Sequence, residues 1–251
     1  MIKIARKHAY LIILPVLMVM TAIAIRAQDS AQQDDAARMA VLESRLENLE
    51  QQIQLLEDSK AIKRLQRAYG YYLDKGLSKD VSSLFTDDAT VELANLGVYE
   101  GKAHIAALYQ HLIGDGPQQG RLNNHIIMQG VVHVAPDGKT AKGRWRALIQ
   151  EGQYGVSATW SEGPFENEYV KQDGIWKISK LHWYTTFTAP YDPGWHKVQL
   201  PMPGPLKDLP PDRPPTENYQ SYPAAYIPPY HYANPVSGRR YEGDPHTAPR
   251  R

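Results

Sequence analysis

The sequence predicts an α+β fold in which helices come first and a meander of long strands follows. Two observations carry this prediction. Apolar residues recur at helical spacing through residues 62–73. Further along, Asp137-Gly138 and Asp173-Gly174 each separate two apolar runs, which is a strong hairpin signal. Helices followed by such a meander imply that the helices cover one face of an antiparallel sheet.

The helices of this domain are expected before residue 114. Asp58 or Ser59 is the predicted N-cap of the first of them. Shorter helices are expected at Val81–Phe85 and His104–Ile113, with a strand at Thr90–Leu93 between them. The buried stripe of the first helix consists of Ile62, Leu65, Tyr69, Tyr72 and Leu73.

Four long strands complete the predicted domain. His125–Val134 and Lys142–Gln150 form one hairpin, and Ala158–Lys171 and Trp176–Thr186 form the other. The domain is therefore expected to span residues 59–191.

The N-terminus has the features of an export signal. Basic residues in the first eight positions precede an apolar run, Tyr10–Ile25, and Ala27 is a small residue at a cleavage position. The run of 16 residues is shorter than the roughly 20 that a membrane span needs. We therefore expect a signal peptide over residues 1–27 and a periplasmic or secreted protein. The alternative is an uncleaved N-terminal anchor, the one case in which a membrane would be a partner.

A polar linker, residues 28–37, is expected next, followed by a heptad segment, residues 38–58. An apolar seam with alternating spacings of three and four predicts a coiled-coil helix that joins copies of the chain into a homo-oligomer. The alternative is an amphipathic helix packed on its own domain. The seam residues are Met39, Leu42, Leu46, Leu49, Ile53 and Leu56.

The C-terminal tail, residues 192–251, is rich in proline. Of the 19 prolines in the chain, 15 lie from Pro190 onward, which disfavours helix and favours extended chain. The tail also contains six tyrosines, whereas disordered segments are usually poor in aromatic residues. The segment Tyr222–Tyr232 is therefore expected to lie on a surface as a strap, with a disordered tail as the alternative.

Composition excludes several function classes. The formal net charge is +1, and residues 1–27 contain four basic residues and no acid, so the remaining chain carries a net charge of −3. It therefore lacks the excess of positive charge that is typical of nucleic-acid-binding proteins. The absence of cysteine excludes disulfides, thiolate nucleophiles and cysteine metal sites. No histidine or carboxylate spacing indicates a metal site, and no phosphate-binding loop is present, so neither a metal nor a cofactor is expected.

Three blocks in order resemble the SnoaL-like branch of the nuclear transport factor two-like superfamily. They are RAYGYYLDKGLSKDVSSLFTDDATVE, GVYEGKAHIAALYQHL and YVKQDGIWKISKLHWYTTFTAP, within about residues 59–190. The resemblance implies a curved sheet wrapped on helices as a cone with a deep internal pocket. Members include ketosteroid isomerases, scytalone dehydratase, a dehydrochlorinase and polyketide cyclases, and many members only bind ligands. The fold alone therefore does not assign a function.

The resemblance places Asp74 and His125 where scytalone dehydratase and the dehydrochlorinase have a catalytic aspartate and histidine. A carboxylate that accepts a hydrogen bond from one imidazole nitrogen leaves the other nitrogen available as a general base. Without the resemblance, Asp74 would be interpreted as a solvated helix end and His125 as a structural strand residue.

Tyr69 lies where ketosteroid isomerases carry the phenol that donates to the developing oxyanion. The alternative for Tyr69 is a core tyrosine bonded to a backbone carbonyl. An aromatic wall suits a small hydrophobic or aromatic ligand, although such residues are more often simply core. The predicted pocket residues are Tyr72, Leu93, Trp145, Tyr169, His182 and Trp183.

Two residues depart from relatives' patterns. Leu93 occupies the position of the isomerase's general-base aspartate, which argues against ketosteroid isomerase chemistry. Leu181 stands where the dehydrochlorinase has an arginine, so chloride departure would lack a cationic helper. The hypotheses that remain are a dehydratase-type lyase, a non-catalytic ligand-binding or assembly module of the cell envelope, and a cyclase or isomerase that uses other pocket groups.

Overall fold

The computed structural model describes residues 3–241, without the side chains of residues 3–17, 27 and 31. The chain divides into two compact units between Gln54 and Leu55. In the described residues the first unit is helical, and the second contains the strands and the shorter helices. Much of the predicted export signal lies outside the described side chains, so it stays a prediction. Over the side chains that are described, none of the helices combines the length and apolar character needed to cross a membrane.

The first helix, α1, runs without interruption over Lys3–Asp74 and includes the residues predicted to be a linker. The prediction of a new helix capped at Asp58 or Ser59 is therefore wrong. Asp58 is 3% exposed, and its Oδ1 accepts a hydrogen bond from Trp176 Nε1 at 2.9 Å and lies 2.6 Å from Lys171 Nζ. Its carboxylate thus ties α1 to two strands of the sheet instead of capping a helix.

The remaining elements follow the predicted order of helices first and long strands second. The helices are α2 (Ser78–Ser83) and α3 (Lys102–Ile113). The strands are β1 (Phe85–Leu93), β2 (Val98–Glu100), β3 (Arg121–Val134), β4 (Thr140–Gln153), β5 (Ser157–Gln172), β6 (Ile175–Trp183) and β7 (Phe187–Pro190). The α+β class is confirmed.

The strands form one sheet in the order β2-β1-β6-β5-β4-β3, and β7 pairs with β5. Both predicted hairpins are present, as β3–β4 and β5–β6. Asp173 and Gly174 both have positive φ, 50° and 78°, as a tight hairpin turn requires. The sheet is mixed rather than purely antiparallel, because β1 pairs in parallel with β6.

A bulge in β3 contributes to the curvature of the sheet. The pairing of β3 with β4 shifts register between Met128 and Val131, and Gln129 has φ of 53°. A Cβ at Gly130 would lie 2.1 Å from the Trp145 ring, so only glycine allows β3 to cross this ring so closely. Bulges of this kind bend a strand and increase its twist.

The C-terminal tail lies against the domain through polar contacts. Glu92 on β1 accepts hydrogen bonds from the backbone N and the hydroxyl of Thr216, at 2.8 and 2.7 Å. The Tyr219 hydroxyl accepts from the backbone N of Thr185 at 2.7 Å, and Tyr219 is only 4% exposed. The predicted Tyr222–Tyr232 segment also contacts the domain: the backbone N of Tyr222 donates to the Thr186 carbonyl oxygen at 2.7 Å, and His231 Nδ1 lies 2.8 Å from Glu166 Oε2. The Tyr222 side chain itself is 44% exposed.

Candidate active site

Asp74 and His125 come from two elements that pack closely. Asp74 is the last residue of α1, and His125 lies near the start of β3. Gly70, one turn before Asp74, faces β3: a Cβ there would lie 3.0 Å from Ile127 Cδ1 and 3.2 Å from the His125 carbonyl oxygen. The lack of a side chain at Gly70 therefore lets the end of α1 approach the β3 backbone.

The Asp74 carboxylate contacts His125 twice through one oxygen. Oδ1 accepts a hydrogen bond from the backbone N of His125 at 2.6 Å and lies 3.1 Å from its Nδ1. The two side chains are 14% and 11% exposed. Because an ionised carboxylate can only accept, this contact places the imidazole proton on Nδ1 and leaves Nε2 as the basic nitrogen.

His125 lines a cavity of about 230 Å³ inside the second compact unit. Apolar side chains from α1, α3 and the sheet form most of its wall, and Pro203 of the tail also contributes. The polar groups that reach it are two phenols, one imidazole, one carboxylate and two hydroxyls. The lining residues are Tyr69, Leu73, Leu93, Ala94, Leu96, Tyr109, Leu112, Ile113, His125, Ile149, Glu151, Ser161, Phe165, Trp183, Thr185 and Pro203.

Tyr69 and Tyr109 form a phenol pair in the cavity wall. Their hydroxyl oxygens lie 2.9 Å apart, and both side chains are almost fully buried. Burial raises the pKa of Tyr69 and of Tyr109, so both remain protonated near neutral pH. One phenolic proton is used within the pair, which leaves the other hydroxyl to donate to a ligand. This placement differs from the alternative of a core tyrosine bonded to a backbone carbonyl.

Of the other predicted pocket residues, Leu93 and Trp183 line the cavity. Tyr72, Trp145, Tyr169 and His182 do not. Trp145 Nε1 donates to the Tyr169 hydroxyl at 2.8 Å, and that hydroxyl donates to Gln66 Oε1 at 2.9 Å. These two aromatic residues thus belong to a buried polar network outside the cavity, which their positions in the chain do not reveal.

His182 is buried on the side of the sheet where the tail is anchored. Its ring stacks on Tyr184 with centroids 3.9 Å apart, and its Nε2 lies 3.6 Å from Glu92 Oε1. Desolvation by burial, followed by the positive charge of Lys180, lowers the pKa of His182 to about 3. The imidazole is therefore neutral at ordinary pH, and its role here is structural.

Four polar cavity residues were missed by sequence reasoning: Tyr109, Glu151, Ser161 and Thr185. The two-residue alternation along β4 offered a signal for one of them. Ile149 pairs with His125, and Glu151 lies two positions further on the same face. Ser161 shares that face because it pairs with Ile149, whereas Tyr109 on α3 and Thr185 beyond the end of β6 carry no such strand signal.

No cation site accompanies this arrangement: within the described residues, no three His, Asp or Glu side chains are grouped to hold a metal ion. Leu181 is fully buried and does not line the cavity. The chemistry that the site can perform without further groups is proton transfer at His125 and hydrogen-bond donation from the phenol pair.

Comparison with known proteins agrees with this fold. A structure titled as a putative scytalone dehydratase from Novosphingobium aromaticivorans matches with a TM-score of 0.51 and 21% identity, over 62% of this chain and 97% of that chain. The structure of LinA, a hexachlorocyclohexane dehydrochlorinase, matches with a TM-score of 0.50 and 21% identity, over 56% of this chain and 93% of that chain. Comparison with curated proteins gives no match.

The sequence match is more specific than these structural ones. The family model for the SnoaL-like domain matches residues 54–182, slightly more than half of the chain. The matched region begins next to the boundary of the second compact unit and contains Asp74, His125 and the phenol pair. The chain therefore belongs to the SnoaL-like family.

Proposed function

We propose that this chain is an exported lyase that eliminates a proton and a leaving group, such as water, from a small and largely apolar substrate. One observation carries the proposal. Asp74 Oδ1 holds both the backbone N and Nδ1 of His125, while His125 lines the cavity. A fixed and oriented imidazole that faces an apolar cavity is the arrangement that a general base requires.

The proposed reaction begins at Nε2 of His125. This nitrogen removes a proton from a carbon of the substrate, and the electron pair of that C–H bond forms a new double bond to the adjacent carbon. The bond to the leaving group breaks with its electron pair. When the leaving group is hydroxide, the proton held on Nε2 can be returned to it, so that water departs and the dyad is restored. Asp74 stabilises the transient imidazolium by its negative charge.

The phenol pair would act at the other end of the substrate. Removal of a proton next to a carbonyl places negative charge on the carbonyl oxygen, and a donor in a site with little water stabilises that charge strongly. Tyr69 or Tyr109 supplies this donor, because only one of their two protons is used between them. Their raised pKa values favour donation of a hydrogen bond over loss of the proton.

The cavity indicates the class of substrate. A space of about 230 Å³ with mostly apolar walls suits a compact molecule of one or two rings. Glu151, Ser161 and Thr185 offer polar contacts for hydroxyl groups on such a molecule. A structural neighbour is titled a putative scytalone dehydratase, and removal of water is the elimination proposed here.

A non-catalytic binding or assembly module is the second candidate, and one contact favours it. Asp74 also accepts from the backbone N of His125, so its carboxylate could serve only to join α1 to β3. In that case the cavity would hold a ligand without changing it.

Incubation with a two-ring β-hydroxyketone, whose dehydration gives a fluorescent naphthol, tests the two candidates together. We expect naphthol to form with the unaltered chain and not with His125→Ala. The matched control is His111→Gln, which alters an exposed histidine of α3. Tight binding of the ketone without turnover, measured by calorimetry, would favour the binding module and contradict the lyase.

Export is the second part of the proposal. It rests on the basic residues Lys3, Arg6 and Lys7, which precede the apolar run Tyr10–Ile25. N-terminal sequencing of the protein recovered from its host is expected to begin near Gln28, in a periplasmic or secreted fraction. A full-length product confined to the cytoplasm would contradict export without affecting the proposed chemistry.

A further inference from the structure

We propose that the heptad segment of α1, residues 38–58, pairs with the same segment of a second copy of this chain as a parallel, in-register, two-stranded coiled coil. This interaction surface is separate from the cavity, and the inference does not depend on the proposed chemistry.

The first observation is an apolar seam on a continuous helix. All six seam residues lie within α1, yet each is between 55% and 64% exposed. Their alternating spacing of three and four keeps them on one narrow stripe, which is the a/d pattern of a coiled coil. These residues are Met39, Leu42, Leu46, Leu49, Ile53 and Leu56.

The seam has defined ends. If the same register is continued toward the N-terminus, the next core position is Asp35, and toward the C-terminus it is Lys60. A parallel pair would bring two like charges together at each of these positions, which opposes further pairing. The apolar stripe therefore covers 18 residues, a length of about 27 Å at 1.5 Å per residue.

The charges beside the seam specify the partner and its direction. With Met39 and Leu46 at a positions, the preceding g positions hold Arg38 and Arg45, and the e positions hold Glu43 and Glu50. In a parallel pair, each g residue lies beside the e residue of the following heptad on the other helix. Arg38 then meets Glu43 of the partner subunit, and Arg45 meets Glu50 of the partner subunit.

An antiparallel pair would have the opposite electrostatics. In that orientation g positions face g positions and e positions face e positions, so arginine would meet arginine and glutamate would meet glutamate. Every such contact is repulsive. A second copy in parallel orientation therefore pairs both arginines with glutamates, whereas in antiparallel orientation neither arginine meets a glutamate.

The core residues indicate two strands. All three d positions hold leucine, and Ile53 is a β-branched residue at an a position, a combination that favours dimers in parallel coiled coils.

Charge exchange in the full chain tests this pairing. We expect Arg38→Glu/Arg45→Glu and Glu43→Arg/Glu50→Arg each to weaken self-association, with a dimer dissociation constant raised about 100-fold, because four attractive contacts become repulsive. An equimolar mixture of the two variants should associate again as a heterodimer. The matched control is Ser44→Glu/Gln51→Glu, at outward f positions, which should dimerise like the unaltered chain. Analytical ultracentrifugation measures the two variants, their mixture, the control and the unaltered chain.

A single cysteine tests the direction, since the chain has none of its own. In a parallel, in-register pair, Met39→Cys brings the two introduced sulfurs within disulfide distance, and mild oxidation should give a covalent dimer. In an antiparallel pair the two sites would lie about 25 Å apart and could not be bridged. A monomeric unaltered chain, a mass above that of a dimer, failure of the mixture to associate, or absence of the disulfide would each overturn the proposal.

Discussion

Asp74 Oδ1 accepts the backbone N–H of His125 at 2.6 Å and lies 3.1 Å from Nδ1 of the same residue. The first contact fixes where β3 lies relative to the end of α1, and the second fixes which imidazole nitrogen carries the proton. A single carboxylate oxygen thus sets both the position and the tautomer of the proposed base.

The dyad should behave as one unit in catalysis. We expect Asp74→Asn and His125→Ala each to lower kcat by about 10²–10⁴-fold, because each removes the oriented base. The double variant should be little worse than either single variant. Steady-state kinetics on the β-hydroxyketone measures the three rates, and circular dichroism checks that the fold is retained. Full activity of His125→Ala would show that the dyad is not the base.

The two hydroxyls of the phenol pair should contribute unequally to kcat. Removing the hydroxyl that donates to the substrate costs about 10²–10³-fold in kcat, whereas removing its neighbour costs less because the donor remains. We expect Tyr69→Phe and Tyr109→Phe to differ in kcat, with the larger loss at the residue whose hydroxyl donates to the substrate. Tyr71→Phe is the matched control, since Tyr71 lies on the same helix and is 72% exposed. Unchanged kcat in both Tyr69→Phe and Tyr109→Phe would exclude an electrophilic role for the pair.

The hydroxyl of Tyr219, which attaches the C-terminal tail to the domain, should contribute to the free energy of unfolding. Tyr219→Phe removes the acceptor of the Thr185 backbone N–H and leaves a buried donor without its partner. We expect the free energy of unfolding to fall by about 1–3 kcal/mol. Urea denaturation measures it, with Tyr222→Phe as the control at an exposed tail tyrosine. Equal stability of the two variants would mean that the tail contact adds nothing measurable.

Acid should destabilise the fold through His182. Its pKa is lowered to about 3 in the folded state, whereas in an unfolded chain a histidine titrates near 6.5. Below pH 6.5 the unfolded state therefore binds a proton that the folded state does not, and stability falls as the pH falls toward 3. Between pH 6.5 and 5 we expect the loss due to His182 to be about 2 kcal/mol.

The variant His182→Phe should lack this loss. A phenyl ring can keep the stacking on Tyr184 but cannot take up a proton. Urea denaturation at the two pH values gives the change for each protein, and His111→Gln provides a control for the loss of an exposed histidine. The same pH dependence in His182→Phe and in the unaltered chain would contradict the assignment.

Local sequence signals were sufficient for several features of this protein. The Asp-Gly pairs indicated where β3–β4 and β5–β6 turn. Asp173-Gly174 is a two-residue turn with positive φ at both residues, and Asp137-Gly138 lies in the longer connection between Val134 and Thr140, where Gly138 has positive φ. The three quoted blocks were sufficient to identify the family, and the family model confirms it. The heptad spacing is equally local, although the dimer that it predicts stays a prediction.

Other features depended on contacts between residues far apart in the chain. The parallel pairing of β1 with β6, the carboxylate of Asp58 against Trp176, and the burial of Tyr219 each join segments that no short-range pattern connects. Likewise, Asp74 and His125 were predicted as partners only from a family resemblance. The distance between them depends on the close approach of α1 to β3 that Gly70 allows. Side chains of similar character, such as Trp145 and Trp183, both lie opposite Phe165 on one face of the sheet, yet only Trp183 lines the cavity, because the position of a residue in the sheet, and not its type, determines whether it reaches the cavity.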